Sequence, residues 1–171
     1  FLSNRCAIFA MIPGQKPERI SQPIENLLSS INTGTKTVRM LWDDRFQGLH
    51  VFVTTTATAT ATDSHFFFEA RTGAWWQDTF ADKNYNPICC TVFDGNDAND
   101  RRPLIGSWDG YVRYFTDTAP NDDGEDIESE VLLGPLLTRE MDEILAKDIQ
   151  AVLSDDSGPV TWALHSGATA Q

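Results

Sequence analysis

The chain has 171 residues, of which 41% are apolar and 22% charged, a composition that supports a packed core and excludes wholesale disorder. Twenty-five acids against thirteen bases give a formal net charge of −12, so most of the surface repels polyanions: nucleic acid and anionic membrane both call for a basic footprint. No apolar run reaches the ~20 residues that a membrane span needs, and the length fits one domain of ordinary size.

The excess charge is local. Asp94 to Glu130 holds eleven acids and three bases, whereas Phe1 to Leu41 holds two acids and five bases. The opening Phe1-Leu2-Ser3-Asn4-Arg5 has no initiator Met and no basic-then-apolar leader pattern, and is expected to belong to a segment of a longer protein. Phe1 to Ala10 is apolar and reads as the remnant of a hairpin. Ile20, Ile24, Leu27, Leu28 and Ile31 then recur at helical spacing, with Pro23 near the start and Gly34 past the end, which predicts a short helix.

Short strands follow, separated by turn signals. Val38 to Asp43, Leu49 to Thr54, Ser64 to Ala70 and Ala74 to Phe80 form a first set of four, with glycine placed in the Arg71-Thr72-Gly73 turn. Ile88 to Phe93, Pro103 to Trp108, Tyr111 to Asp117 and Ile127 to Leu136 form a second, with Asp109-Gly110 as the strongest hairpin signal. The first strands of the two sets lie 50 residues apart. Four strands at that period match a β-propeller blade, with a β-sandwich as the rival. The expected fold is all-β: a propeller-like segment of four-stranded antiparallel blades. Its parts are a partial blade with the helix (1–37), two blades (38–87 and 88–137) and a partial blade (138–171). In the last part Met141, Ile144, Leu145, Ile149, Val152 and Leu153 also fit a helix, but the alternation of Pro159 to His165 and a turn at Asp155 to Gly158 favour pairing Asp148 to Leu153 with Pro159 to His165.

The runs FFFEARTGAWWQDTF, VFDGNDANDRRPLIGSWDGYVRYFTDTAPNDDGEDIESEVLLGPL and IQAVLSDDSGPVTWALHSGATA resemble propeller-type virion structural proteins of tailed bacteriophages and prophages. The turn around Arg71-Thr72-Gly73, the Trp108-Asp109-Gly110-Tyr111 hairpin and the acidic loop leading to Gly134-Pro135 carry the likeness, over most of Val38 to Ala168. It implies a virion component of the tail, tail tip or fibre, whose partners are other virion proteins or identical copies. It supplies no catalytic residues. Two complete blades fall short of the ~4–8 that close a propeller, so covering chain is expected from a partner, from further copies or from sequence outside this segment.

No pattern of active-site chemistry stands out. His50, His65 and His165 have no shared ligand spacing. Gly106-Ser107-Trp108 is not a nucleophile elbow, and no glycine-rich phosphate loop occurs. Cys6, Cys89 and Cys90 lack CxxC spacing; neighbours in a strand face opposite ways, so the pair reads as small core side chains in a buried strand. A glycosidase needs two carboxyls on rigid elements, for which Glu69, Asp78 and Asp109 are the candidates. Asp94 to Asp100 and Asn121 to Asp126 offer oxygen ligands for calcium but lack the EF-hand order. Neither cofactor nor metal is expected. Trp75-Trp76 and Phe66-Phe67-Phe68 straddle both faces of their strands, as sheets sandwiched between blades require. Trp108, Asp109 and Tyr111 are the expected interaction residues, through aromatic anchoring of a protein partner or stacking on a host-surface glycan. The function expected is therefore non-enzymatic and structural, with a carbohydrate-binding module next and an acidic glycoside hydrolase third.

Overall fold

The computed structural model describes residues 1–127, apart from 4–5, 61–62, 98–99, 117 and 120, together with positions 130, 160, 161 and 163. The chain divides into two units, Phe1–Glu128 and Ser129–Gln171, and every described element belongs to the first. Its regular structure is mostly strand. In order come β1 (Phe9–Ala10), β2 (Glu18–Arg19), a 3-10 turn (Gln22–Ile24) running into α1 (Glu25–Ser29), β3 (Lys36–Asp43), β4 (Gly48–Thr55), β5 (Ser64–Glu69) and β6 (Ala74–Asp78). A second 3-10 turn (Lys83–Tyr85) precedes β7 (Pro87–Phe93), β8 (Arg102–Ser107) and β9 (Val112–Tyr114).

All pairings between the strands are antiparallel between chain neighbours. They form a two-stranded β1-β2 ribbon, a four-stranded β3-β4-β5-β6 sheet and a three-stranded β7-β8-β9 sheet. The first predicted set of four strands is thus found almost residue for residue. In the second set β9 ends at Tyr114 instead of Asp117, and Ile127 is not in a strand; 128–136 otherwise lie outside the described residues except Glu130. The predicted terminal hairpin at 148–165 also lies outside them except at 160, 161 and 163. The predicted helix is shorter than its apolar spacing, because Pro23 opens a 3-10 turn and only Glu25–Ser29 is α-helical.

Strand β4 explains the layering. Leu49, Val51 and Val53 point to one side, where Val51 and Val53 meet Cys6, Ile8, Ile24, Leu28 and Phe66. The N-terminal segment is tied down there: Ile8 N donates to Ser21 Oγ at 3.0 Å, and Trp75 Nε1 donates to the Ile20 carbonyl at 2.8 Å. His50, Phe52 and Thr54 point to the other side, where Phe52 packs with Leu41, Ile105, Phe80, Cys90, Val92 and Phe115. An antiparallel strand covered on both faces departs from the simple in–out alternation of a one-sided sheet. Gly48 opens β4 because the Phe67 ring lies over it, where a Cβ would collide.

One reading of the second sheet needs correcting. The run Ile88 to Phe93 is not a buried strand: Ile88, Cys89, Thr91 and Phe93 are exposed, and only Cys90 and Val92 turn towards Ile105. Cys89 is therefore an exposed thiol, unlike buried Cys6 and half-buried Cys90. Alternation puts adjacent side chains on opposite faces, and among the described residues only one face of β7 is covered.

Candidate functional site

The face of the four-stranded sheet that meets β7–β9 carries polar side chains in two cross-strand rows. Arg39, Phe52, His65 and Asp78 form one, and Leu41, His50, Phe67 and Trp76 the other. His65 is buried and its hydrogen bonds define its tautomer: Nδ1 accepts from Val53 N at 3.3 Å, so Nε2 carries the proton towards Asn86 Oδ1 at 3.0 Å. Asn86 Nδ2 in turn donates to the Thr60 carbonyl at 2.8 Å. Buried Asp63 accepts from Thr55 N and Thr55 Oγ1 (2.7 Å for the latter) and pairs with Lys36 at 3.2 Å. These groups tie the ends of β3, β4 and β5 to the turn before β7. Burial lowers the pKa of His65, keeping it neutral.

His50 is different. Its ring nitrogens have no hydrogen-bond partner, and it stacks on Phe115 at 4.6 Å and against Phe67 at 4.7 Å. Asp43, also buried, lies 3.8 Å from its Nε2 but accepts from Arg45 N at 2.9 Å, while Arg45 Nη2 reaches the Phe115 carbonyl at 3.1 Å. Burial pushes the His50 pKa down to about 4 despite the neighbouring carboxylate. A neutral, boxed-in imidazole is a packing group and has no room to take up a substrate proton.

The expected interaction residues fall in two places. Asp109 is committed to its own hairpin. Arg113 grips it with both nitrogens (3.0 and 2.6 Å), reaches Asp123 at 2.5 Å, and lies 4.2 Å over the Tyr85 ring. The Arg113 hydrogen bonds hold the Asp109 carboxyl below its ordinary range. Gly110, at φ +84°, takes the left-handed position of that turn. Tyr111 projects into solvent. Trp108 instead helps line a cleft of about 240 Å³ with Thr37, Arg39 and Thr54 to Thr56, closed by the irregular start of β7 at Pro87 and Ile88. Sequence reasoning missed Arg39 and the threonines, because they join Trp108 only through the packing of β3 against β7. A lone arginine within the apolar strand VRMLWD was the available signal.

Of the three glycosidase candidates, Asp109 is engaged by Arg113, and Glu69 and Asp78 are not brought together. Glu69 pairs with Ala74 and Asp78 with His65, four positions apart along the hairpin, or about 13 Å at the usual strand rise. That exceeds the ~5–9.5 Å between paired catalytic carboxyls. Burial raises the Asp78 pKa to about 6, whereas Glu69 is held low by Thr72 and Arg71. The loop around Asp122, Glu125 and Asp126 borders a second cavity of about 450 Å³. Among the described residues, no group of three or more His, Cys, Asp or Glu side chains is placed to hold a metal ion.

The other feature is a surface. On the side of β7–β9 facing away from the four-stranded sheet, register aligns Phe93 with Arg102, Thr91 with Leu104 and Tyr114, and Cys89 with Gly106 and Val112. Val112 is 68% exposed, Tyr114 51% and Phe93 49%, and the Arg102 guanidinium lies 4.9 Å over the Tyr114 ring. Compared with protein-family models, curated proteins and solved structures, the chain matches none of them.

Proposed function

We propose that the chain is a non-enzymatic structural component of a tailed-phage particle, belonging to the tail, tail tip or fibre and acting through contacts with other virion proteins or identical copies. The observation that carries this reading is the outward face of β7–β9. Phe93, Leu104, Val112 and Tyr114 stand together on a sheet that no described element covers. Each large apolar side chain left in water forgoes roughly 1.5–3 kcal/mol of burial, and grouped exposure of this kind marks an association surface. The finer architecture that goes with it is propeller-like, with the next sheet stacking on β7–β9 as that sheet stacks on the four-stranded one. The commitment of His65, Asp63, Asp43 and Asp109 to internal bonds fits a protein that works by contact.

Sedimentation of the chain beside the double variant Val112→Glu/Tyr114→Glu tests the surface. The parent is expected to self-associate or to co-sediment with particle proteins, and the variant to remain folded and lose both properties. Immunodetection in purified particles tests the location. A parent that is monomeric and missing from purified particles overturns the reading.

The Trp108 cleft favours a second reading, a carbohydrate-binding module, since an indole beside hydroxyls and a guanidinium is a sugar-stacking arrangement. Calorimetric titration with simple sugars tests it.

A further inference from the structure

We infer that the cleft between Arg39 and Trp108 binds a carboxylated sugar of about one residue, an inference that rests on the carbohydrate-binding reading and narrows it. Acids outnumber bases 25 to 13 in this chain, and its arginines are paired accordingly. Arg19 meets Glu25, Arg45 meets Asp43, Arg71 meets Glu69, Arg101 meets Asp44, Arg102 meets Asp100, and Arg113 meets Asp109 and Asp123, each within 4 Å. Among the described arginines only Arg39 lacks a carboxylate, and it lines a cleft. Its forked N–H donors match a carboxylate in two parallel bonds. The segment that supplies Thr37 and Arg39 is also the least acidic, since the first 41 residues hold two acids and five bases.

The remaining walls supply what a bare anion would not use. Thr54 Oγ1 donates to the Pro87 carbonyl at 2.5 Å and Thr56 Oγ1 to the Thr35 carbonyl at 3.0 Å. Thr54 is buried and fixes the wall, whereas exposed Thr56 has spent its proton and keeps oxygen lone pairs to accept from a sugar hydroxyl. Thr37 has no described partner, so its hydroxyl is free to donate or accept. Half-buried Trp108 offers an indole for the apolar face of a pyranose. The volume of about 240 Å³ holds roughly eight waters at ~30 Å³ each, the scale of one sugar ring. One guanidinium, two threonine hydroxyls and one aromatic wall together describe an acidic monosaccharide.

Calorimetric titration of the chain with D-glucuronate, N-acetylneuraminate, D-glucose and acetate tests this, with Arg39→Gln and Trp108→Phe alongside. Arg39 is exposed, so its variant is expected to keep the parent melting curve. At least one acidic sugar is expected to bind tenfold or more tightly than glucose or acetate, and Arg39→Gln to lose at least tenfold of that affinity. Glucose binding as well as the acidic sugars, with Arg39→Gln indifferent, overturns the inference and leaves the carbohydrate reading standing. Acetate binding as well as the acidic sugars reduces the site to an anion site and overturns it too. Binding of none of the four overturns both.

Discussion

His50 and Asp78 sit on one face of one sheet and answer pH in opposite directions. The His50 pKa falls from 6.5 to about 4, so the unfolded chain takes up this proton before the folded one does. Its contribution is fully present above pH 6.5 and is lost as pH falls towards 4, a swing on the order of 3 kcal/mol. His50→Phe is expected to remove that part of the acid sensitivity, since Phe52, Phe67 and Phe115 already line the site. Urea midpoints at pH 7 and 4.5 measure it; a variant that keeps the parent's acid slope refutes the assignment. His65, also lowered by burial, leaves a residual slope of the same sign. Asp78 moves the other way, from 3.8 up to about 6. Its protonated form suits the folded state, so its favourable contribution is complete below pH 3.8 and lost as pH rises through 6. Asp78→Asn is therefore expected to stabilise the protein by on the order of 1–3 kcal/mol at pH 7 and to change little at pH 3.5, as thermal melts at the two values will show.

Whole elements depend on a few buried ties. Asp63 holds Lys36 on β3 and Thr55 on β4 with a carboxylate that has no exposed surface. Asp63→Ala removes the acceptor of the half-buried Thr55 amide and hydroxyl and the carboxylate beside Lys36, and is expected to destabilise by about 2–4 kcal/mol; chemical denaturation measures the loss. At the second hairpin, Arg113 links Asp109, Asp123 and the Tyr85 ring. Arg113→Met is expected to loosen the turn after β8 and speed amide exchange at Tyr111, whose N–H bonds Asp109 Oδ1 at 3.1 Å, while β3–β6 remain protected. Equal exchange in both sheets would show that the hairpin is not held locally. Both turns were legible from Arg71-Thr72-Gly73 and Asp109-Gly110, because backbone chirality confines left-handed positions largely to glycine. The Asp63 tie was not legible, because it joins residues 27 positions apart through a pairing that only the folded sheet creates.

Among the described residues, a four-stranded sheet is covered on both faces and a three-stranded sheet on one. Charge on the open face of β7–β9 is expected to abolish association while leaving stability nearly unchanged; charge at Ile105, on the covered face and 2% exposed, is expected to unfold the protein. Sedimentation and melting curves of Tyr114→Glu and Ile105→Glu separate the two effects. The sequence by itself determined strands β3–β9, their antiparallel neighbour pairing and the committed turns, but not the β1-β2 ribbon or a strand at Ile127, since period-two side-chain geometry and glycine-rich turns are local properties of the chain. It also marked Trp108 as a residue to watch. Only the tertiary structure decided which face of β7 is covered, that Asp109 is spent on Arg113 and that Arg39 stands beside Trp108 with no acid partner among the described residues. Burial and pairing across sheets depend on residues far apart in the chain, and a strand's alternation reads the same whether one of its faces is covered or bare.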